Sequence, residues 1–399
     1  MTVPWLNIVG IGEDGMAGLP ASARALVENA EVIIGGDRHH KLSNSNAERI
    51  AWPSPFDAMI DTIRSLKGKR LVVLVTGDPL WYSVGARILK SIPADEIVFH
   101  PQLSAFQWAA ARMGWSIADV DTLTVHGRAP EQIVPYFAPD ARMLLLTKDA
   151  SSVGAVGDLL MARGYGQSNM TVLAALGGPN EQRFDMTAET PDLDVPDFHT
   201  LAVECVAGPD AIVLPRVGLP DDAFVHDGKM TKRAVRALAL AKLIPMRGQL
   251  LWDIGSGCGS IGIEWMRGAP EARAIGFDPK PERRVMAAQN AVNLGVPKLE
   301  IMHGSAPECL HGQPDPDAIF IGGGLSEAVV LDCIGALKRR GRLVAHAVTL
   351  ESEAVLLNAF QEHGGELQRI SVETASPVGV YHGWKPAMPV VQWFWEKDA

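Results

Sequence analysis

Short apolar runs recur along almost the whole chain, each followed by a turn and a stretch with helical spacing. In the first half they begin at Trp5-Leu6-Asn7-Ile8-Val9 and recur at 32–35, 71–76 and 97–100, then at 143–147, 170–174 and 201–206. In the second half they centre near Leu250, Ile275, Leu299, Ile319 and Leu343, with two more near Ile370 and Val390. Runs this short, bounded by turns, have the length of strands rather than helices. Their alternation with helical stretches predicts an α/β protein, with two α/β lobes and a cleft between them in the first half. The turn-rich stretch Leu214-Pro215-Arg216-Val217-Gly218-Leu219-Pro220-Asp221-Asp222 reads as a linker, with the boundary near Val217. The expected division is a two-lobed domain over 1–212 (lobes 1–102 and 103–212), a linker over 213–220 and a second domain over 221–399. Pro389, early in the last run, predicts an edge strand or a strand start there.

The length of 399 residues suits two domains better than one. No apolar run approaches a membrane span, and the N-terminus lacks the basic-then-apolar pattern of a secretion signal. Cys205, Cys258, Cys309 and Cys333 are scattered with no CxxC pair, which argues against a zinc site and for a reducing, cytoplasmic compartment. The formal net charge of −10 speaks against a general affinity for nucleic acid. Neither a metal nor a membrane partner is expected.

The densest chemistry lies at Asp253-Ile254-Gly255-Ser256-Gly257-Cys258-Gly259. An apolar run feeds into it from Gln249, and an amphipathic stretch, Ser260 to Met266, follows. That is a strand, a glycine loop and a helix. Glycines at alternate positions let the backbone approach a ligand where a Cβ would collide. The helix N-terminus offers free N–H groups. A dinucleotide fingerprint requires a third glycine three residues after the second, and position 260 is Ser260. Asp253 would repel a phosphate there but attract the amine of S-adenosylmethionine. A second strand, Ala274-Ile275-Gly276-Phe277-Asp278, ends in an acid suited to ribose hydroxyls. A plain turn with a helix-capping acid is the simpler alternative.

The first half carries several corners at strand ends. Gly10-Ile11-Gly12-Glu13-Asp14-Gly15 follows the first run, Thr76-Gly77-Asp78-Pro79 the run at 71, and Pro101-Gln102-Leu103-Ser104-Ala105 the run at 97. Val125-His126-Gly127-Arg128 and Leu145-Leu146-Thr147 come in order behind them. Taken singly, each is an ordinary turn. In number and order they resemble the tetrapyrrole (corrin and porphyrin) methylase family over residues 1 to about 212. That resemblance implies a class III methyltransferase fold with S-adenosylmethionine between two lobes. It implies Gly10, Gly77, Asp78 and Pro79 at the cofactor, with Leu146 and Thr147 across the cleft. Gln102 replaces the family's glycine. His126 and Arg128 suit the carboxylates fringing a corrinoid precursor, because arginine binds carboxylates bidentately. Arg38, His39 and His40 are further candidates for the same task.

From Gly218 onward, Leu219-Pro220-Asp221-Asp222-Ala223-Phe224 and Lys229-Met230-Thr231-Lys232-Arg233 resemble the decarboxylating precorrin methyltransferases, which have a Rossmann-like class I fold. The resemblance implies Thr231 at the cofactor, the glycine loop as Gly255, Ser256, Gly257, Cys258 and Gly259, and Asp278 at the ribose. The family's G-D-A-P-E segment is Gly304-Ser305-Ala306-Pro307-Glu308, so Ser305 lacks the acid and the backbone at Ala306 is left to contribute.

Together the two resemblances imply two S-adenosylmethionine sites in one chain. They imply methylation of a precorrin at C5 by the first half, and at C15 with loss of CO2 from the ring C acetate by the second. A homo-oligomer is expected by the same resemblance. No catalytic residue is assigned; His303, Glu308 and His346 are only possible proton donors. The rivals are the same folds acting on RNA or protein, a nicotinamide-dependent oxidoreductase, and a nucleoside-binding regulator.

Overall fold

The computed structural model describes residues 4–398; Met1, Thr2, Val3 and Ala399, the outermost positions of the two expected domains, lie outside the described residues. The chain forms two compact units. One runs up to Pro130 and includes Tyr136–Ile212; the other runs from Val213 onward and includes Glu131–Pro135.

The first unit holds two five-stranded sheets. The first contains β1 (Leu6–Ile11), β2 (Val32–Ile34), β3 (Glu48–Ile50), β4 (Leu71–Thr76) and β5 (Ile97–His100), in the order β3-β2-β4-β1-β5. All its pairings are parallel. Central strands of such a sheet are covered on both faces, which is why β1 and β4 are nearly continuous apolar runs. Helices α1 (Ala21–Glu28), α2 (Asp37–Ser43), α3 (Met59–Ser65) and α4 (Val84–Ile88) belong to this lobe. Two apolar clusters form its core, one around Ile8, Ile34 and Val73 and one around Val9, Ile33 and Leu74.

The second sheet contains β6 (Asp121–Thr124), β7 (Arg142–Leu146), β8 (Asn169–Ala174), β9 (Gln182–Thr187) and β10 (His199–Glu204), in the order β6-β7-β10-β8-β9. Here only β6–β7 is parallel. Helix α5 (Ala105–Met113) begins where Gln107 Oε1 accepts the Ser104 N–H at 2.7 Å, the side-chain half of a capping box. It ends at Gly114 in the left-handed conformation. It packs on β7 and β10 through Phe106, Ala109 and Ala110, while α6 (Ser151–Met161) follows β7.

The second unit is one seven-stranded sheet and a hairpin. Its strands are β11 (Leu250–Ile254), β12 (Arg273–Phe277), β13 (Glu300–Met302), β14 (Ala318–Ile321), β15 (Arg342–Ala347), β16 (Glu366–Ile370), β17 (Glu373–Val378), β18 (Tyr381–Pro386) and β19 (Val390–Glu396). The sheet order is β13-β12-β11-β14-β15-β19-β16, parallel from β13 to β15 and antiparallel at β19 and β16. Helices α7 (Arg233–Leu243), α8 (Ser260–Gly268) and α9 (Pro281–Asn293) lie in this unit with α10 (Glu327–Ala336) and α11 (Leu350–His363). Two apolar layers cover the sheet faces, one built around Trp265 and Phe320 and the other around Trp252 and Trp393.

The β19 strand departs from half of what Pro389 suggested. It is not an edge strand, because it pairs with β15 on one side and β16 on the other. The proline stands just before the first paired residue, where its missing N–H costs no ladder bond. The unpredicted strands β3, β6, β9 and the β17–β18 hairpin share one cause. They lie at sheet edges or outside the main sheets, and their side chains are largely exposed or half-buried. Such strands have no buried face to impose an apolar pattern.

Candidate functional site

In the second unit the strand order reverses at β11, whose neighbours are β12 and β14. Open α/β sheets bind ligands in the crevice beyond the strand ends at such a point. The loop 255–259 occupies it. Gly255, Gly257 and Gly259 have φ of +71°, +55° and +80°, a region closed to most side chains. A Cβ on Gly255 would lie 2.6 Å from the Gly323 backbone nitrogen, so the run after β14 and the loop after β11 touch main chain to main chain.

Two buried carboxylates anchor the loop and the first turn of the helix that follows it. Asp253 is 1% exposed, and its Oδ2 accepts the Gly262 N–H of α8 at 2.9 Å. Burial, with Asp278 nearby, pushes its carboxyl up to about 7. Asp278 is also 1% exposed and accepts from Gly257 N–H at 3.0 Å and Lys280 N–H at 2.9 Å. Each acid therefore fixes a backbone turn as well as supplying negative charge. The Ser256 Oγ is buried without a hydrogen-bond partner. Ala306 packs beside the Trp252 cluster.

The segment 218–231 reaches the glycine loop at Lys229 and, through Asn290, at Val225. A Cβ on Gly257 would come within 3.9 Å of the Lys229 carbonyl oxygen. The segment is fastened by a fully buried ion pair, Arg236 on α7 with Glu264 on α8. Arg236 also donates to Asp221 Oδ1 at 3.1 Å, to the Thr231 carbonyl at 2.6 Å and to the Leu219 carbonyl. Glu264 accepts from the Gly218 and Leu219 N–H groups. Asn290 on α9 closes the clamp. Its amide exchanges hydrogen bonds with the Val225 backbone at 2.8 and 2.9 Å and donates to the Cys258 carbonyl at 2.9 Å. Arg283 holds Asp227 at 2.8 Å and stands 3.9 Å from Asp278.

The first unit brings together corners that are far apart in sequence. A Cβ on Gly10 would collide with the Gly77 carbonyl oxygen and lie 3.0 Å from Gln102 N. Gly77 has φ +59°, and a Cβ there would sit 2.8 Å from Ser104 Cα. Gly77 N–H donates to Ile11 O and Gln102 N–H to Gly77 O, both at 3.3 Å. Three strand ends thus meet at backbone contact. Gln102 secures its turn by a side-chain bond to the Gly18 carbonyl. Asp78 Oδ1 accepts Leu80 N–H at 2.7 Å, fixing the corner around Pro79. Glu13 lies against Gly178 of the second lobe.

Whole-chain similarity joins these two halves. A protein of Sinorhizobium sp named precorrin-6Y C(5,15)-methyltransferase (decarboxylating) is 46% identical over 399 residues, covering 99% of this chain and 97% of its own length. The chain belongs to that family. A Mycobacterium tuberculosis (strain CDC 1551 / Oshkosh) protein of the same name is 38% identical over 395 residues, with 97% and 98% covered. Residues 6–192 match the model for tetrapyrrole (corrin/porphyrin) methylases, and residues 222–397 that for the precorrin methyltransferase domain. The crystal structure of the C-terminal domain of precorrin-6Y C5,15-methyltransferase from Rhodobacter capsulatus covers 46% of this chain and 100% of its own at 42% identity, with a TM-score of 0.44. The protein is therefore a methyltransferase, and methyltransferases of this family use S-adenosylmethionine.

Within this family frame, the sequence-predicted residues fall into groups. Asp253, Gly255, Ser256, Gly257, Cys258, Gly259 and Asp278 cluster at the loop after β11, with the Lys229 carbonyl near Gly257, while the Thr231 carbonyl is held by Arg236. Gly10 and Gly77 meet directly, and Asp78 and Pro79 follow. Leu146 and Thr147 lie at the end of β7; the Thr147 hydroxyl donates to His199 O at 2.6 Å, so it is already engaged. His126 Nδ1 stands 3.2 Å from Thr147 O, while Arg128 is exposed and stacks 5.3 Å over the Tyr82 ring. His346 is buried against Phe320 and bonded to Gln392, and burial lowers its pKa to about 4. It is neutral at pH 7 and held in the core, whereas His303 and Glu308 are exposed. Sequence reasoning missed Arg236, Glu264 and Asn290. The available signal was a charged or amide residue on the apolar face of each helix, which must find a partner when buried. Among the described residues no cluster of three or more His, Cys, Asp or Glu could hold a metal, and no helix is long and apolar enough to cross a membrane.

Proposed function

We propose that this chain methylates a precorrin at C5 and C15 and releases CO2 from the ring C acetate, with one S-adenosylmethionine site in each unit. The observation that carries this reading is the pair of independent glycine cradles, one per unit, in a chain whose halves match two methylase models. The second cradle fits the donor: positive-φ glycines for close approach, an unpartnered Ser256 Oγ, and buried acids for an ammonium group and ribose hydroxyls. The first fits through the Gly10–Gly77 contact and the buried, unpartnered Ser104 Oγ beside it.

S-adenosylmethionine supplies an already activated methyl group. The protein's task is then to hold an electron-rich meso carbon in line with it, and positioning accounts for much of the acceleration. Gly77, Asp78 and Pro79 orient the donor in the first unit, with Leu146 and Thr147 opposite. In the second, Thr231 and the Ala306 backbone flank the glycine loop. His126 and Arg128 meet substrate carboxylates. The domain limits 1–212 and 221–399 follow from this division. We place the enzyme in the cytoplasm as a homo-oligomer. The β17–β18 hairpin supports self-association, since Val380, Tyr381 and Trp384 on it are 89%, 76% and 72% exposed.

The test is incubation of the purified protein with the cobalt-free reduced precursor and methyl-labelled S-adenosylmethionine. Two methyl groups and one CO2 per macrocycle are expected. One methyl group, or none with nicotinamide dinucleotide bound instead, refutes the reading.

A further inference from the structure

The loop after β1, helix α2 and the end of β4 bring together one carboxylate, Glu13, with the polar groups of Arg38, His39 and Thr76. Arg38 on α2 is paired with Glu13 and also donates to the Thr76 hydroxyl. His39 Nε2 lies 3.0 Å from the same oxygen. The His39 tautomer is fixed by its other nitrogen: Nδ1 accepts the Gly36 N–H at 3.1 Å, so Nε2 carries the hydrogen and donates it to Thr76. Thr76 Oγ1 therefore receives two N–H groups, and its own O–H is left to donate outward. Thr76 is exposed and immediately precedes Gly77-Asp78-Pro79. Phe198 of the second lobe, 45% exposed, lies under the Arg38 guanidinium at 4.1 Å.

A planar guanidinium over an aromatic ring, already paired with a carboxylate and beside a hydroxyl left to donate, suits an anionic, planar acceptor. One carboxylate is already there: Glu13, on the loop that also touches Gly178.

We propose that Arg38 and Thr76 form the subsite that reads one peripheral carboxylate of the macrocycle in the first unit, and that Glu13 occupies it until the substrate's carboxylate takes its place. This rests on the proposed C5 methylation by that unit. His39 is a positioning residue, turning the Thr76 hydroxyl outward. The arrangement orients the ring next to the donor corner rather than taking part in methyl transfer.

The experiment uses the full chain and measures C5 methyl incorporation against tetrapyrrole concentration, with donor affinity measured separately by titration. Arg38→Gln should raise KM for the tetrapyrrole about tenfold or more and leave kcat within about threefold. Arg38→Lys should recover part of that loss, since it restores charge but not the fork. Thr76→Val should raise KM about threefold to tenfold. Glu13→Gln should lower KM, because the resident competitor loses its charge. C15 methylation and CO2 release by the same preparations should not change. Arg38→Gln with an unaltered KM, or with donor affinity falling in step with it, overturns the subsite. Glu13→Gln that raises KM overturns the role of Glu13. If the parent chain itself adds no methyl group at C5, the underlying reading fails, and the two failures are distinguishable.

Discussion

The two units build their glycine corners in opposite ways. In the second, one unbroken stretch, Asp253 to Gly259, makes the cradle, and both supporting acids stand at the ends of adjacent strands. In the first, Gly10, Gly77 and Gln102 come from three strand ends far apart in sequence and meet through backbone contacts. A contiguous cradle depends on side chains packed beneath it. A distributed one depends on the absence of side chains where strands converge. Substitutions should therefore damage one half at a time, and by different mechanisms.

The largest effect is expected at Arg236. Arg236→Met leaves Glu264 buried without its cation, which costs about 3–5 kcal/mol. It also frees Leu219 and Thr231 from their carbonyl bonds. Hydrogen exchange should show protection lost over 218–231 and α8 while β1 and β4 keep theirs. Equal loss in both units would break the contrast. Gly10→Ala comes next. The new methyl group meets the Gly77 carbonyl, and Gly77 is itself held at positive φ. Displacing that corner by even part of an ångström should cut C5 methylation about a hundredfold, with C15 methylation and CO2 release unchanged. Asp253→Asn acts on the other half. It keeps an acceptor for Gly262 N–H but removes the charge, and donor affinity at that site should fall by about tenfold to a hundredfold. C5 methylation should survive, so product masses after each substitution decide whether the halves are independent.

The same contrast decides what could be read before any fold was known. The Asp253 loop was legible because its residues are contiguous and Ser260 excludes a dinucleotide pattern. Buried strands such as β1, β4 and β11 announced themselves as apolar runs. The first-unit corners had meaning only through family resemblance, since nothing in the spacing of Gly10 and Gly77 shows that they touch. The Arg236–Glu264 pair was invisible because its partners lie 28 residues apart on different helices. Edge strands such as β3 and β9 were missed because partial exposure removes the apolar rhythm.

The smallest effect is a difference in pH response. Burial holds the Asp253 carboxyl at about 7 in the ligand-free protein. An ammonium group binds the deprotonated form. Donor affinity at the second site should therefore rise with pH, by up to about tenfold per unit below pH 7, and level off above it. The first-unit corner at Gly10 and Gly77 is made of backbone contacts, so its affinity should stay flat. Stability runs the other way. An acid whose folded pKa is raised disfavours the folded state once the unfolded chain ionises, so the cost is absent below about pH 4 and grows until pH 7. Asp253→Asn should thus abolish the pH slope of binding and, in the ligand-free chain, gain stability relative to the parent as pH rises from 5 to 8. Calorimetric titration at pH 6, 7 and 8, resolving both sites, checks the binding half of this. Equal slopes at the two sites would mean that Asp253 does not face the donor.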